Sequence, residues 1–175
     1  MEDAARPALA AVCERLAGQR LPRWEELPDL ELYMDQVLSL MDRYLGDCPG
    51  FDRKGLTASM VNNYVKLGVM PPPVKKKYSR AHLAHLIMIC VLKASFPIDR
   101  VKRLLALLQQ QRGEREGYDR FCDEYERALQ DTAAANAADD GERVCRAALR
   151  AQAEQALALA LCDAMFPEPE KKEKK

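Results

Sequence analysis

The chain has 175 residues, of which 48% are hydrophobic, 31% charged and only 6% aromatic. That composition suits one domain or one domain with a small appendage, and it excludes wholesale disorder. The formal net charge is zero, which by itself argues against a nucleic-acid partner.

The elements follow in chain order from apolar spacing, and every periodic segment reads as helix. Leu9, Val12, Cys13 and Leu16 mark a first amphipathic helix ended by Gly18, followed by a loop with Pro22 and Pro28. Leu30, Met34, Val37, Leu38, Met41 and Leu45 sit at helical spacing, with Asp29 as the expected N-cap. Gly46, Pro49, Gly50 and Gly55 mark a loop. A short helix then runs from the cap Thr57 to a stop at Gly68 and Pro71. Residues 71–77, Pro-Pro-Pro-Val-Lys-Lys-Lys, are expected to be extended and exposed. Ser79 opens a helix that is apolar over much of its circumference (Leu83, Leu86, Ile87, Met88, Ile89, Cys90 and Val91), which predicts a central position. Phe96-Pro97 starts the next helix, with Ile98, Val101, Leu104, Leu105 and Leu108 on one face. After Gly113 and Gly117 comes a helix carrying Tyr118, Phe121, Cys122, Tyr125 and Leu129. An Ala-rich helix over 142–166 has Leu157, Leu161 and Met165 spaced by four, and its small residues suit close helix approach within the fold or across a dimer. Pro167 to Lys175 reads as a disordered charged tail.

The zero net charge hides a strong asymmetry. Residues 1–51 carry −5, residues 52–103 carry +9 and residues 104–175 carry −4. A basic module between acidic flanks points to a polyanion partner, or else to internal pairing of the basic face with the flanks. No stretch of about 18 apolar residues is present, so no membrane span is expected. The acidic start Met1-Glu2-Asp3 lacks a charged-then-apolar leader, which predicts a cytoplasmic protein. The six cysteines (Cys13, Cys48, Cys90, Cys122, Cys145 and Cys162) include no C-x-x-C pair and read as buried free thiols in a reducing compartment. A redox or metal-sensing cysteine pair across a dimer is the alternative reading.

The short helix carries the functional signal. Val61, Tyr64, Val65 and Gly68 fall on one face, and Ser59, Asn62, Asn63 and Lys66 on the other. Two adjacent asparagines weaken a helix, because Asn competes for backbone hydrogen bonds. Asn is also one of the few side chains that pairs bidentately with adenine in the major groove. The alternative is a structural role, with an Asn capping a neighbouring loop. Lys75, Lys76, Lys77 and Arg80 follow on a proline-stiffened path where they can neutralise phosphates. A basic loop directly after a candidate recognition helix is the layout of a winged helix-turn-helix. Enzyme signals are weak. His82 and His85 lie three apart with no H-E-x-x-H, no phosphate-binding glycine loop occurs, and no catalytic residue, cofactor or metal site is expected.

The stretch Met60-Val61-Asn62-Asn63-Tyr64-Val65-Lys66-Leu67-Gly68-Val69-Met70-Pro71 resembles the recognition-helix signature of MerR-type winged helix-turn-helix regulators. Lys76-Lys77-Tyr78-Ser79 resembles the end of their wing, and Phe96 to Leu105 resembles the helix that follows it. Leu32-Tyr33-Met34-Asp35-Gln36-Val37, Leu56-Thr57 with Asn62-Asn63-Tyr64, and Lys75 to Arg80 with His82 are similar to a bacterial family known only as a domain of unknown function and described as related to those regulators. The resemblance spans roughly residues 29–110. It implies an all-α fold: a MerR-like winged helix-turn-helix core with an N-terminal helix and a C-terminal helical extension. The units expected are an N-terminal helix and linker (1–28), the winged module (29–112), a dimerisation or sensor region (113–166) and the tail (167–175). In the resemblance Asn62 takes the place of a base- or phosphate-contacting Arg, Asn63 that of a phosphate-reaching Tyr, Tyr64 that of a packing Tyr, and Lys76 and Lys77 those of wing arginines. The sequence differs from the MerR pattern in the glycine- and proline-containing loop before the recognition helix and in its shorter wing. The function implied is sequence-specific binding of double-stranded DNA by a homodimeric transcriptional regulator, with an effector or protein partner of unknown identity. The alternative is a helical protein-interaction adaptor that does not bind DNA.

Overall fold

The computed structural model describes residues 2–51, 54–135 and 143–166, and the expected tail lies outside them. Among the described residues the fold is all-helical, with seven α-helices and no strand longer than an isolated bridge. The helices are α1 (Glu2–Ala17), α2 (Met34–Leu45), α3 (Ala58–Lys66), α4 (Arg80–Lys93), α5 (Ile98–Arg112), α6 (Glu114–Ala135) and α7 (Arg143–Met165). A single 3-10 turn at Trp24–Glu26 lies between α1 and α2.

Helix α4 is the axis of the core. Its residues from His82 to Ile89 are all buried, as its nearly all-round apolar sequence requires. Helix α2 packs on it through Val37, Met41 and Leu45, and α5 through Val101 and Leu105. Helix α6 closes the same core with Tyr118, Phe121 and Cys122 and carries α1 on its other side. One buried cluster thus runs from Leu21 to Cys122.

The segment between α1 and α2 is held by specific polar contacts. The Tyr118 hydroxyl donates to the Pro22 carbonyl at 2.7 Å. Arg23 meets the Asp119 carbonyl at 3.2 Å, Glu126 at 2.7 Å and Asp123 at 3.0 Å. Burial works against the Arg23 charge, but Glu126 and Asp123 outweigh it, and its pKa is raised.

Four local signals are where the sequence expects them. Thr57 Oγ1 accepts from the Met60 amide at 3.3 Å. Gly68, at φ 65°, ends α3 in a Schellman arrangement, with Val69 N–H on the Tyr64 carbonyl (2.9 Å) and Gly68 N–H on that of Val65 (3.0 Å). Ser79 and Pro97 occupy the N-cap positions of α4 and α5.

Three features differ. Helix α2 starts at Met34 and not after Asp29, because Leu32 is drawn into an antiparallel bridge with Tyr78 (2.9 and 2.8 Å). Its first turn is closed by Gln36, whose Oε1 accepts from the Tyr33 amide at 2.9 Å. Gly117 does not interrupt a helix but lies buried inside α6, where a Cβ would stand 3.1 Å from the Leu108 carbonyl oxygen. Residues 71–77 are not simply extended: Val74 and Lys77 pair through both backbone bonds (3.1 and 2.9 Å), closing a two-residue hairpin turn on Lys75 and Lys76.

Candidate nucleic-acid interface

Helix α3 separates its two faces as its sequence dictates. Val61 and Tyr64 are buried, whereas Ser59, Asn62, Asn63 and Lys66 are all exposed. Neither asparagine caps a neighbouring loop, since no hydrogen bond to either side chain occurs among the described residues. Lys102 of α5 braces the helix end by donating to the Leu67 carbonyl at 3.0 Å, a favourable place for a cation. In the sequence Lys102 carries no signal beyond its place in the Arg-Val-Lys-Arg run of α5.

The hairpin after α3 brings two more cations to the surface. Lys75 and Lys76 are exposed, and both have positive φ, 50° and 64°. Two successive left-handed residues define a type I′ turn, which favours Asn-Gly because a Cβ is strained there. Lysines at both central positions are unusual enough to invite a functional explanation.

The other two predicted phosphate contacts are engaged internally. Lys77 is half-buried, 3.3 Å from Glu31 and over the Tyr33 ring at 5.8 Å. Arg80, whose side chain is only 16% exposed, lies over the Trp24 ring at 5.9 Å and faces Glu25 (3.4 Å) and Asp29 (3.7 Å). Together they fasten the hairpin base and the start of α4 to the acidic stretch before α2.

His82 joins the hairpin to α4. Its Nδ1 accepts from the Ser79 amide at 3.1 Å and sits 2.8 Å from the Ser79 hydroxyl, which puts the ring proton on Nε2, facing the Pro72 carbonyl at 3.3 Å. His85 turns instead to its own helix, with Nδ1 2.9 Å from the Ala81 carbonyl. His82→Ala strips the cap amide and the Pro72 carbonyl of a partner and leaves a cavity, at a cost of about 2–4 kcal/mol. His82→Asn keeps an acceptor near the Ser79 amide and should recover part of that loss. Urea denaturation of both variants checks the ranking, and equal losses would mean that packing alone sets the cost.

The acidic flanks pair with part of the basic module, through Lys77, Arg80, Arg100 and Arg103, but among the described residues not with its α3 face or its hairpin tip. Glu126 and Asp123 hold Arg23, Glu25 holds Arg115, and Asp163 of α7 holds Arg100 and Arg103. Helices α6 and α7 pack on α1, α4 and α5. No ion pair to Lys66, Lys75 or Lys76 occurs among the described residues.

All six cysteines are free thiols, but only Cys48, Cys122 and Cys162 are buried; Cys13 and Cys90 are half-buried, and Cys145 is exposed on α7. Burial raises the pKa of Cys90 to about 12 and of Cys122 to about 11, and it raises that of Cys48 as well. These three are protonated at neutral pH and poor nucleophiles. No cluster of three or more metal-binding side chains occurs among the described residues, and no helix there is long and apolar enough to cross a membrane.

A family model described as a domain of unknown function (DUF1836) matches residues 22–128. No curated protein and no solved structure matches the chain.

Proposed function

We propose that this chain, which belongs to the DUF1836 family, binds double-stranded DNA in a sequence-specific manner and acts as a transcriptional regulator. The observation that carries the reading is the distribution of charge pairing. Arg20, Arg23, Arg100 and Arg103 are matched by carboxylates, whereas Lys66, Lys75 and Lys76 are left to solvent among the described residues. An asparagine-bearing helix face followed by a two-lysine hairpin suits base readout beside phosphate contact. In this reading α2 and α3 are the helix-turn-helix and residues 71–78 a minimal wing of the MerR kind. The bridge from Leu32 to Tyr78 anchors that wing beside the start of α2.

Asn62 and Asn63 read bases, Ser59 assists them, and Lys66, Lys75 and Lys76 hold phosphates. The regulator works as a homodimer. Exposed Leu149, Leu157, Leu161 and Met165 on α7, at 56–72% exposure, supply the apolar contact between copies. Two half-sites one helical turn apart follow.

Selection from a randomised duplex library, repeated across salt concentrations, tests this reading. The expected result is a palindromic motif whose affinity falls steeply with salt. Asn63→Ala should flatten base preference at one position per half-site. Lys76→Ala should weaken all sequences alike and lower the salt slope by about one. Loss of preference in both variants alike would contradict that division of roles. No binding at low salt would overturn the DNA reading in favour of a protein-interaction adaptor.

A further inference from the structure

Behind the exposed face of α3 lies a cleft that the DNA reading does not use. It is a small cavity of about 80 Å³ between the α2–α3 loop, the inner side of α3 and the end of α4. Phe51, Leu56 and Met60 give it apolar walls, and Tyr64, Cys90 and Lys93 complete its lining. The loop backbone lies close over α4 here, since a Cβ on Gly50 (φ 78°) would stand 2.8 Å from that of Ala94.

Tyr64 is the telling residue. It is 2% exposed, and its hydroxyl is buried with no hydrogen-bond partner. Buried hydroxyls without a partner are rare in native folds, and among the three such side-chain atoms of the described residues Tyr64 Oη is the one whose residue lines this cleft. Burial also raises the phenol pKa to about 12, so the hydroxyl meets a ligand as an O–H donor. Lys93, exposed at the end of α4, adds a positive charge.

We propose that this cleft binds a small organic acid, with its apolar body against Phe51, Leu56 and Met60, an oxygen accepting from the Tyr64 hydroxyl and its negative charge near Lys93. Met60 and Tyr64 belong to α3, so the ligand and DNA meet adjoining faces of one nine-residue helix. The acid therefore acts as an effector whose binding and DNA binding are reciprocally coupled. The cleft stands independently of the DNA reading, and only the coupling rests on it.

The test uses the full chain labelled at its methionine methyl groups. The probes are benzoate, phenylacetate, 3-phenylpropionate and hexanoate, each with its uncharged amide. At least one acid is expected to shift the Met60 methyl signal and to bind more tightly than its amide. Tyr64→Phe, which removes only the orphaned hydroxyl, should weaken that acid about fivefold without lowering the unfolding midpoint of the free protein. Lys93→Met should bring the acid to the affinity of its amide. A Met60 signal unmoved by every acid, or acids and amides binding alike to the unsubstituted chain, would overturn the site. DNA affinity unchanged by saturating acid would overturn the effector role alone. Failure of the chain to bind DNA would overturn the regulator reading while leaving a Met60 shift in place.

Discussion

Replacing Lys75 by Asn and Lys76 by Gly should make the protein more stable and a weaker DNA binder at once. The two lysines stand at φ 50° and 64°, and each left-handed residue with a Cβ costs about 1 kcal/mol relative to glycine or asparagine. The Asn-Gly pair fits the same type I′ turn without that strain, so the double variant should gain about 1–2 kcal/mol in urea denaturation. The backbone bonds between Val74 and Lys77 and the bridge from Leu32 to Tyr78 stay in place, so the hairpin remains. DNA affinity should fall about tenfold or more at low salt, and the salt slope by about two, as two phosphate contacts disappear. A gain in stability with unchanged DNA affinity would show that the strained turn serves something other than phosphate binding. A loss of stability would show that the lysine side chains hold the turn, contrary to their exposure.

Raising the pH above about 9 should unfold the protein through its thiols and phenols. Burial raises the pKa of Cys90 to about 12, Cys122 to about 11 and Tyr64 to about 12, and it raises those of Cys48, Tyr118 and Tyr125 as well. The sign follows from proton counting. In the unfolded chain a thiol ionises near its ordinary value of about 8.5 and a phenol near 10, while the folded groups keep their protons. Above the unfolded pKa the native state therefore binds more protons, and stability falls as pH rises. Each such group withdraws up to about 1.4 kcal/mol per pH unit. Cys90 and Cys122 together amount to several kcal/mol by pH 11, comparable with the whole stability of an ordinary domain. Denaturation midpoints at pH 8, 9, 10 and 11 would show the fall, and Cys90→Ala with Cys122→Ala should flatten it below pH 10. A stability that holds to pH 11 in the unsubstituted chain would mean that these groups ionise within the fold.

The two faces of α3 are legible in residues 57–68. Its cap at Thr57 and its stop at Gly68 are set by contacts within about five residues, and the spacing of Val61 and Tyr64 marks the side that the core covers. The engagement of Arg80 and Lys77 was not legible. Their partners Glu25, Asp29 and Glu31 lie roughly fifty residues away, and a count of basic residues does not distinguish a paired guanidinium from an open one. Nor does the triple lysine announce its turn. Type I′ geometry is usually signalled by Asn or Gly, and here it is imposed by the pairing of Val74 with Lys77 and of Leu32 with Tyr78. The cleft beside Tyr64 is invisible in sequence, because it forms only where the α2–α3 loop closes over the end of α4.

The all-helical character, the central place of α4, the caps of α3 and α4 and the concentration of positive charge between residues 52 and 103 follow from the residues alone. Helix periods, caps and local charge depend on neighbours one or two turns away, and a single chain displays those directly. Where α2 begins, which cations pair with carboxylates, and the place of Gly117 inside a helix against the Leu108 carbonyl emerge only from the folded chain. Those outcomes depend on segments far apart in the chain competing for the same backbone bonds, counter-charges and space, and that competition is resolved only when the whole core closes.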